Sequence, residues 1–102
     1  MLRHIVAWNI KEDLSEKEKE ETKKMIRLEL EALVELVPTL KEMKVYTNEL
    51  VSGTNREIML SSLFEDEAGL DEYMVHPEHK RVVKLIHHLL QDRVVLDYTE
   101  RG

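Results

Sequence analysis

The first strand of this chain is the feature that most restricts its fold. Successive side chains of a strand point to opposite faces. One face of residues 2–10 therefore carries Leu2, His4, Val6, Trp8 and Ile10, and the other carries Ile5 and Ala7. Because both faces are largely apolar, the strand requires cover on both sides. The helices of this chain can cover one face, and we expect a second subunit to cover the other.

The size and composition of the chain predict a single domain over residues 1–102. The chain is 42% hydrophobic and 35% charged, which is enough apolar surface for one core and too little length for a second. A net charge of −6 without a basic cluster argues against a nucleic-acid partner. No run approaches the length of about 18 apolar residues typical of a membrane span. The lack of cysteine fits a protein of the reducing cytoplasm.

The spacing of Ser15 and Glu18 is that of a capping box, which predicts the start of a long helix. We expect Pro38 to end this helix, since proline lacks a backbone donor. Residues 25–37 form an apolar arc wider than the usual stripe of about 100°, so this half of the helix must contact more than one surface. Glu29 falls inside the arc, and we expect it to reach water at the edge.

Alternating apolar residues and turn formers predict the remaining elements. In chain order they are a strand over 43–48, a hairpin connection over 48–56, a strand over 58–64, a short helix capped by Asp66, a helix over 77–90 and a strand over 93–99. His76 is the expected N-cap of the second of these helices, because proline is favoured at the first helical position.

The order strand, helix, strand, strand, helix pair, strand is typical of a split βαβ domain in the α+β class. Its helices cover one face of a four-stranded antiparallel sheet and leave the other face bare. A homodimer that pairs the two bare faces would close a barrel, and a cavity between the sheets would be a natural ligand site. The wide apolar arc of the first helix also allows a higher oligomer.

Three segments carry a resemblance to a known family. The opening RHIVAWNIK, the central YMVHPEHKRVV and the closing RVVLDYT are similar to the stress responsive A/B barrel domain family. The resemblance implies a ferredoxin-like domain that dimerises into an α/β barrel. Some plant members of that family are stress-induced oligomers, others resemble polyketide cyclases that close rings by aldol chemistry without a cofactor, and many bacterial members have no assigned activity.

The resemblance also implies site residues. In cyclase-like members the second histidine of the HPxH motif and the upstream tyrosine perform the acid/base work, which corresponds here to His79 and Tyr73. A first-strand histidine of the pocket corresponds to His4. We further expect Trp8 and His76 to contact the ligand, and we expect no cofactor.

The helical spacing independently directs His79 inward, because it falls on the same side as the apolar residues four, seven and eleven positions later. An imidazole beside a tyrosine in a cavity suits enolisation next to a carbonyl. His79 could equally be a structural histidine, Tyr73 a packing residue with its hydroxyl at the rim, and His76 a cap or hinge. His76 and His79 together form an incomplete ligand set, so we expect no metal. We expect His87 and His88 to face solvent.

Three hypotheses about function follow from these residues. The first is a homodimeric barrel that binds a small apolar or aromatic molecule between sheet and helices, with His79 as base or hydrogen-bond partner and Tyr73 orienting the ligand. The second is a non-catalytic stress or assembly protein in which both residues only brace a helix start. The third is an oxygen-using, cofactor-independent enzyme of the monooxygenase type.

Overall fold

A computed structural model describes residues 1–48 and 54–101 of the chain. Within those residues, four strands and three α-helices follow in the predicted order: β1 Leu2–Ile10, α1 Glu16–Glu31, β2 Leu40–Thr47, β3 Ile58–Phe64, α2 Glu67–Val75, α3 Pro77–Ile86 and β4 Leu90–Thr99. Short 3-10 turns follow α1 and α3. Of the predicted connection between β2 and β3, residues 49–53 lie outside the described part of the chain.

The strands form one sheet in the order β2-β3-β1-β4, in which every neighbouring pair is antiparallel. Helices pack on one face of this sheet, which we call the covered face. The opposite face carries no helix of this chain, and we call it the open face. The predicted α+β class, with a ferredoxin-like split βαβ topology and a four-stranded antiparallel sheet, is therefore confirmed.

Alternation along β1 and β3 assigns side chains to the two faces as expected. The core between the sheet and the helices contains the covered-face side chains Val6, Ile10, Ile58, Leu60 and Phe64, all at most 4% exposed. Ile5 and Ala7 point to the open face and are only partly buried. Their β4 partners are Leu96 and Val94, which are 61% and 46% exposed.

The first helix begins as predicted but ends earlier than predicted. Ser15 Oγ accepts a hydrogen bond from the Glu18 backbone N–H at 3.1 Å, and Glu18 Oε1 accepts one from the Ser15 N–H at 3.0 Å, completing the capping box. The α-helix ends at Glu31 and a 3-10 turn continues over Ala32–Glu35, so helical structure stops before Pro38.

The tightening of the helix into a 3-10 turn divides the apolar arc. It leaves Leu30, Leu33 and Val37 in the core, whereas Leu28 and Leu36 are 71% and 44% exposed. Glu29 reaches the surface of the protein as expected, where Oε2 accepts a hydrogen bond from Arg81 Nη1 at 3.1 Å.

The last strand begins at Leu90, three residues before the predicted start, because it contains a β-bulge. Ala7 pairs with Val94 and Asn9 with Gln91, so two β4 residues lie opposite the single residue Trp8. Asp92 has a φ of 57°, a left-handed conformation that an aspartate tolerates better than most residues. The helix predicted over 77–90 is also shorter, since α3 ends at Ile86 and a 3-10 turn over His87–Leu89 leads directly into β4.

No helix among residues 1–48 and 54–101 is both long and apolar enough to cross a membrane.

Candidate functional site

A cavity of about 270 Å³ lies between the covered face of the sheet and the helices. Its apolar wall includes Val6, Trp8, Leu30, Leu60, Val83 and Ile86, and its polar wall consists of His4, Tyr73, His79, His87 and Arg93. Of the two locations that the sequence suggested, between two sheets or between sheet and helices, this cavity occupies the second. His79, Tyr73, His4 and Trp8, which lie far apart in sequence, all meet there.

His79 lies in the first turn of α3 with its ring orientation fixed by one hydrogen bond. Its Nδ1 is 3.1 Å from the carbonyl oxygen of Met74. A carbonyl oxygen only accepts, so Nδ1 carries the hydrogen and, in the neutral ring, Nε2 holds a free lone pair. Burial lowers the pKa of His79, nearby His4 and Arg93 lower it further, and the bond to Met74 acts in the opposite direction. The ring is therefore neutral at pH 7 and able to accept a proton.

Tyr73, in α2, is in direct contact with His79. The two ring centroids are 4.4 Å apart, and the centroid of the Tyr73 ring is 5.1 Å from that of Phe64. The side chain is 1% exposed, and burial raises the pKa of its hydroxyl, which keeps its proton. In the described part of the chain no side chain or backbone group forms a hydrogen bond with this hydroxyl, although Tyr73 lines the cavity. A ligand in the cavity would provide an acceptor for it.

His4 and Trp8 lie on the covered face of β1. The His4 ring is buried, and its Nδ1 donates to the carboxylate of Asp97, its direct partner on β4. This pair orients the imidazole and leaves its Nε2 without a partner in the described residues. Trp8 is partly buried and forms part of the cavity wall.

His76 forms the corner between α2 and α3. Its Nδ1 accepts a hydrogen bond from the Glu78 backbone N–H at 3.1 Å, so the predicted N-cap of α3 is confirmed. The side chain does not belong to the wall of the cavity. Ligand contact by His76, which we also expected, stays a prediction.

Two cavity residues were missed from the sequence. His87 is exposed as expected, yet it reaches the rim of the cavity, where its Nδ1 donates to the Val83 carbonyl oxygen at 3.1 Å. Arg93 lies at the rim on β4. The apolar arc of α3 could have suggested His87, which falls at its edge. In the predicted strand over 93–99, alternation puts Arg93 on the same face as Val95, but the sequence does not show that this position meets the cavity.

Among residues 1–48 and 54–101 no three side chains of the histidine, cysteine or acidic type are grouped to hold a metal ion.

Comparison with known proteins assigns the chain to a family. The sequence model of the stress responsive A/B barrel domain matches residues 2–100. The chain belongs to this family. Among curated relatives, an olivetolic acid cyclase from Cannabis sativa is 25% identical over 98% of this chain and 97% of its own length.

Solved structures of similar proteins share the fold of this family member. A dimeric protein of unknown function from Bacteroides fragilis, described as ferredoxin-like, superposes with a TM-score of 0.85 at 26% identity, covering 95% of this chain and 93% of that one. A hydroxynitrile lyase from Passiflora edulis superposes with a TM-score of 0.79 at 24% identity, covering 95% and 90%. The dimeric state of the first neighbour supports a homodimer for this member of the stress responsive A/B barrel family.

Proposed function

We propose that this protein is a homodimer that binds a small apolar or aromatic carbonyl compound in the covered-face cavity and enolises it without a cofactor. One observation carries the proposal. A neutral His79 with a free Nε2 lies against the Tyr73 ring, whose protonated hydroxyl lacks a partner among the described residues, and both line an apolar cavity. A base and a hydrogen-bond donor at one cavity are the two groups that enolisation requires.

The proposed step moves one proton. His79 Nε2 removes it from the carbon next to the ligand carbonyl, and the C–H electron pair becomes the enolate. The Tyr73 hydroxyl donates a hydrogen bond to the developing enolate oxygen. The low polarity of the cavity strengthens this hydrogen bond. In an aldol closure the enolate carbon would attack a second carbonyl of the same molecule, and the His79 imidazolium would return the proton to the resulting alkoxide.

The relatives support this reaction class at different levels. The Cannabis sativa protein is named as a cyclase and aligns with nearly the whole chain at 25% identity. The Passiflora edulis protein is named as a lyase, and at 24% identity its likeness supports the fold alone. The specific substrate of this chain is therefore left to experiment.

The direct test is enolisation of a simple ketone. We expect the protein to catalyse deuterium exchange of the protons next to the carbonyl of 4-phenylbutan-2-one in D2O, followed by NMR. His79→Gln should slow exchange by about 100-fold or more, the usual contribution of a general base. Tyr73→Phe should slow it by about 100-fold, as loss of one oxyanion donor does. His88→Gln, which changes an exposed histidine outside the cavity, is the matched control and should leave the rate unchanged.

A second candidate function is a non-catalytic assembly protein. It is favoured by the hydrogen bonds that His76 and His79 make to backbone groups, because these bonds brace the corner between α2 and α3. In that case the wild-type protein would not accelerate exchange, and His79→Gln would lower only the melting temperature. Oxygen-using chemistry stays a prediction, which oxygen consumption with an electron-rich phenol would test.

A further inference from the structure

Arg93 is the basic group at the rim of the cavity that the proposed enolisation does not use. We propose that Arg93 recognises a carboxylate, so that the ligand is a small apolar molecule ending in an acid group. This inference rests on the proposed function in one respect, since it requires that the covered-face cavity binds a ligand. It adds the chemical class of that ligand and a residue that determines specificity.

The bulge in β4 lets Leu90 and Arg93 point to the same face of the sheet. Leu90 pairs with Ile10 and points into the core, and strict alternation from Leu90 would turn Arg93 to the open face. The extra residue at Asp92 reverses the alternation, so that Arg93 shares the covered face with Val95, the partner of Val6. Leu90 and Arg93 thereby share the covered face, which regular alternation over three positions does not allow.

The bulge is held by polar contacts from β1 and from the connection that precedes β3. Asn9 Nδ2 donates to the Asp92 carboxylate at 3.0 Å, and Arg56 Nε donates to the Asp92 carbonyl oxygen at 2.8 Å. Asn9 Oδ1 in turn accepts from the Glu57 backbone N–H at 3.2 Å. These bonds fix a left-handed residue that would otherwise cost about 1–2 kcal/mol. The position of Arg93 is therefore determined by three segments of the fold.

The charge around the cavity favours an anion. Its ionisable wall residues are His4, Tyr73, His79, His87 and Arg93, and no described residue of the wall is acidic. The Asp97 carboxylate, which pairs with the wall residue His4, accepts the His4 Nδ1 hydrogen. Within residues 1–48 and 54–101, the Arg93 side chain has neither an ion pair nor a side-chain hydrogen bond. This basic cavity occurs in a chain whose net charge is −6, so composition does not explain it.

The geometry of an arginine suits a carboxylate. The planar guanidinium can donate two parallel hydrogen bonds to the two oxygens of one carboxylate. The cavity of about 270 Å³ is slightly smaller than the smallest usual ligand pockets of about 300 Å³, so it takes a small ligand with one such group. The apolar body would lie against Trp8 and Leu60, with the carboxylate at the rim beside Arg93.

Two ligands of one shape test the inference. The probes are 4-phenylbutanoate and its neutral counterpart 4-phenylbutanamide, which differ in charge and hardly in size. Binding is followed by the fluorescence of Trp8, the single tryptophan of the chain and part of the cavity wall, and independently by calorimetry. We expect the acid to bind about tenfold more tightly than the amide, which is the effect of one charge-assisted hydrogen-bonded pair at a partly exposed site.

Variants assign that preference to Arg93. Arg93→Gln should reduce the preference for the acid to about twofold or less by weakening the binding of the acid alone. Arg93→Lys should give an intermediate preference, because lysine keeps the charge but cannot donate two parallel hydrogen bonds. Arg81→Gln is the matched control. It removes the same charge from the surface, where Arg81 pairs with Glu29 and Glu78 away from the cavity, and it should retain the tenfold preference. Circular dichroism verifies that each variant is folded.

The outcomes separate this inference from the proposed function. If both probes bind the wild-type protein equally, or if Arg93→Gln keeps the preference while remaining folded, carboxylate recognition by Arg93 is wrong and the cavity is still a binding site. If neither probe changes Trp8 fluorescence or releases heat, ligand binding in the cavity fails, and both proposals fail with it.

Discussion

The two faces of the sheet are built from the same strands and the same alternation, yet they end in different states. On the covered face, Val6, Leu60 and Phe64 are at most 4% exposed because α1, α2 and α3 close over them. On the open face, Val94 and Leu96 are 46% and 61% exposed, although they are as apolar as their covered counterparts. The chain has apolar side chains for two interfaces and helices for one.

This difference assigns separate tasks to the two faces. The covered face combines the core with a cavity whose polar groups include every histidine and tyrosine of the proposed chemistry. The open face contributes no group to that cavity, and its exposed apolar side chains match the needs of a partner subunit. Variants on the two faces should therefore affect different measurements.

The largest expected effect is a difference in the free energy of unfolding between truncations of two neighbouring β3 residues that point to opposite faces. Phe64→Ala should lower the free energy of unfolding by about 3–5 kcal/mol, because Phe64 is fully buried against Tyr73. Within one subunit Leu63→Ala should cost about 1 kcal/mol, since its own chain buries Leu63 only partly on the open face. Any further cost belongs to the subunit contact and changes with protein concentration. Urea denaturation at one fixed protein concentration measures both. Equal costs would contradict the distinction between the faces.

A charge on the open face should separate the subunits. Leu96→Asp should raise the dimer dissociation constant by about 30-fold or more, since a central interface residue contributes about 2 kcal/mol. The control is Leu28→Asp, which adds the same charge at a leucine that is 71% exposed on α1. Light scattering over a dilution series should show a dimer for the control and a monomer for Leu96→Asp. A Leu96→Asp dimer as stable as the wild type would place the subunit contact elsewhere.

The smallest expected effect is a pH dependence that belongs to the covered face. Burial keeps the pKa of His79 below its ordinary value of 6.5. As pH falls, the unfolded chain binds a proton at this position before the folded chain does. The free energy of unfolding should therefore decrease below about pH 6.5 and level off once the folded ring is also protonated.

Thermal unfolding measured between pH 7.5 and pH 5 should show that the melting temperature falls less steeply with decreasing pH in His79→Gln than in the wild-type protein. His88→Gln, which removes an exposed histidine, should keep the wild-type slope. None of the five histidines, all of them described, lies on the open face. A slope unchanged by His79→Gln would show that its ring is as solvated in the folded chain as in the unfolded one.

Much of the fold could be predicted because it depends on local patterns. The alternation in β1 and β3, the capping box at Ser15 and the N-cap His76 each involve residues a few positions apart. The ends of elements were predicted less well. The last turn of α1 changes to 3-10 geometry before Pro38, and β4 starts before Arg93, because packing against other elements decides both.

The residues of the candidate site also differ in how well the sequence predicts their positions. The inward direction of His79 follows from helical spacing, and its proximity to Tyr73 follows from the short corner at His76. The partner of His4 depends on strand register between the two ends of the chain, where His4 meets Asp97. The common face of Leu90 and Arg93 depends on a left-handed residue, Asp92, that local sequence patterns do not indicate. Long-range pairing and backbone irregularity therefore set the limit of prediction.

Because of the bulge at Asp92, the faces to which the side chains of β4 point depend on the number of residues in the strand and not on which residues they are. Deleting Asp92 would leave every other residue unchanged, yet it would restore regular alternation in β4. Leu90 and Arg93 would then point to opposite faces of the sheet. An arginine would then move from the cavity to the open face, or a core leucine would leave the core. Under the proposed recognition of a carboxylate by Arg93, gain or loss of one residue in the last strand would change the ligand preference in a single step.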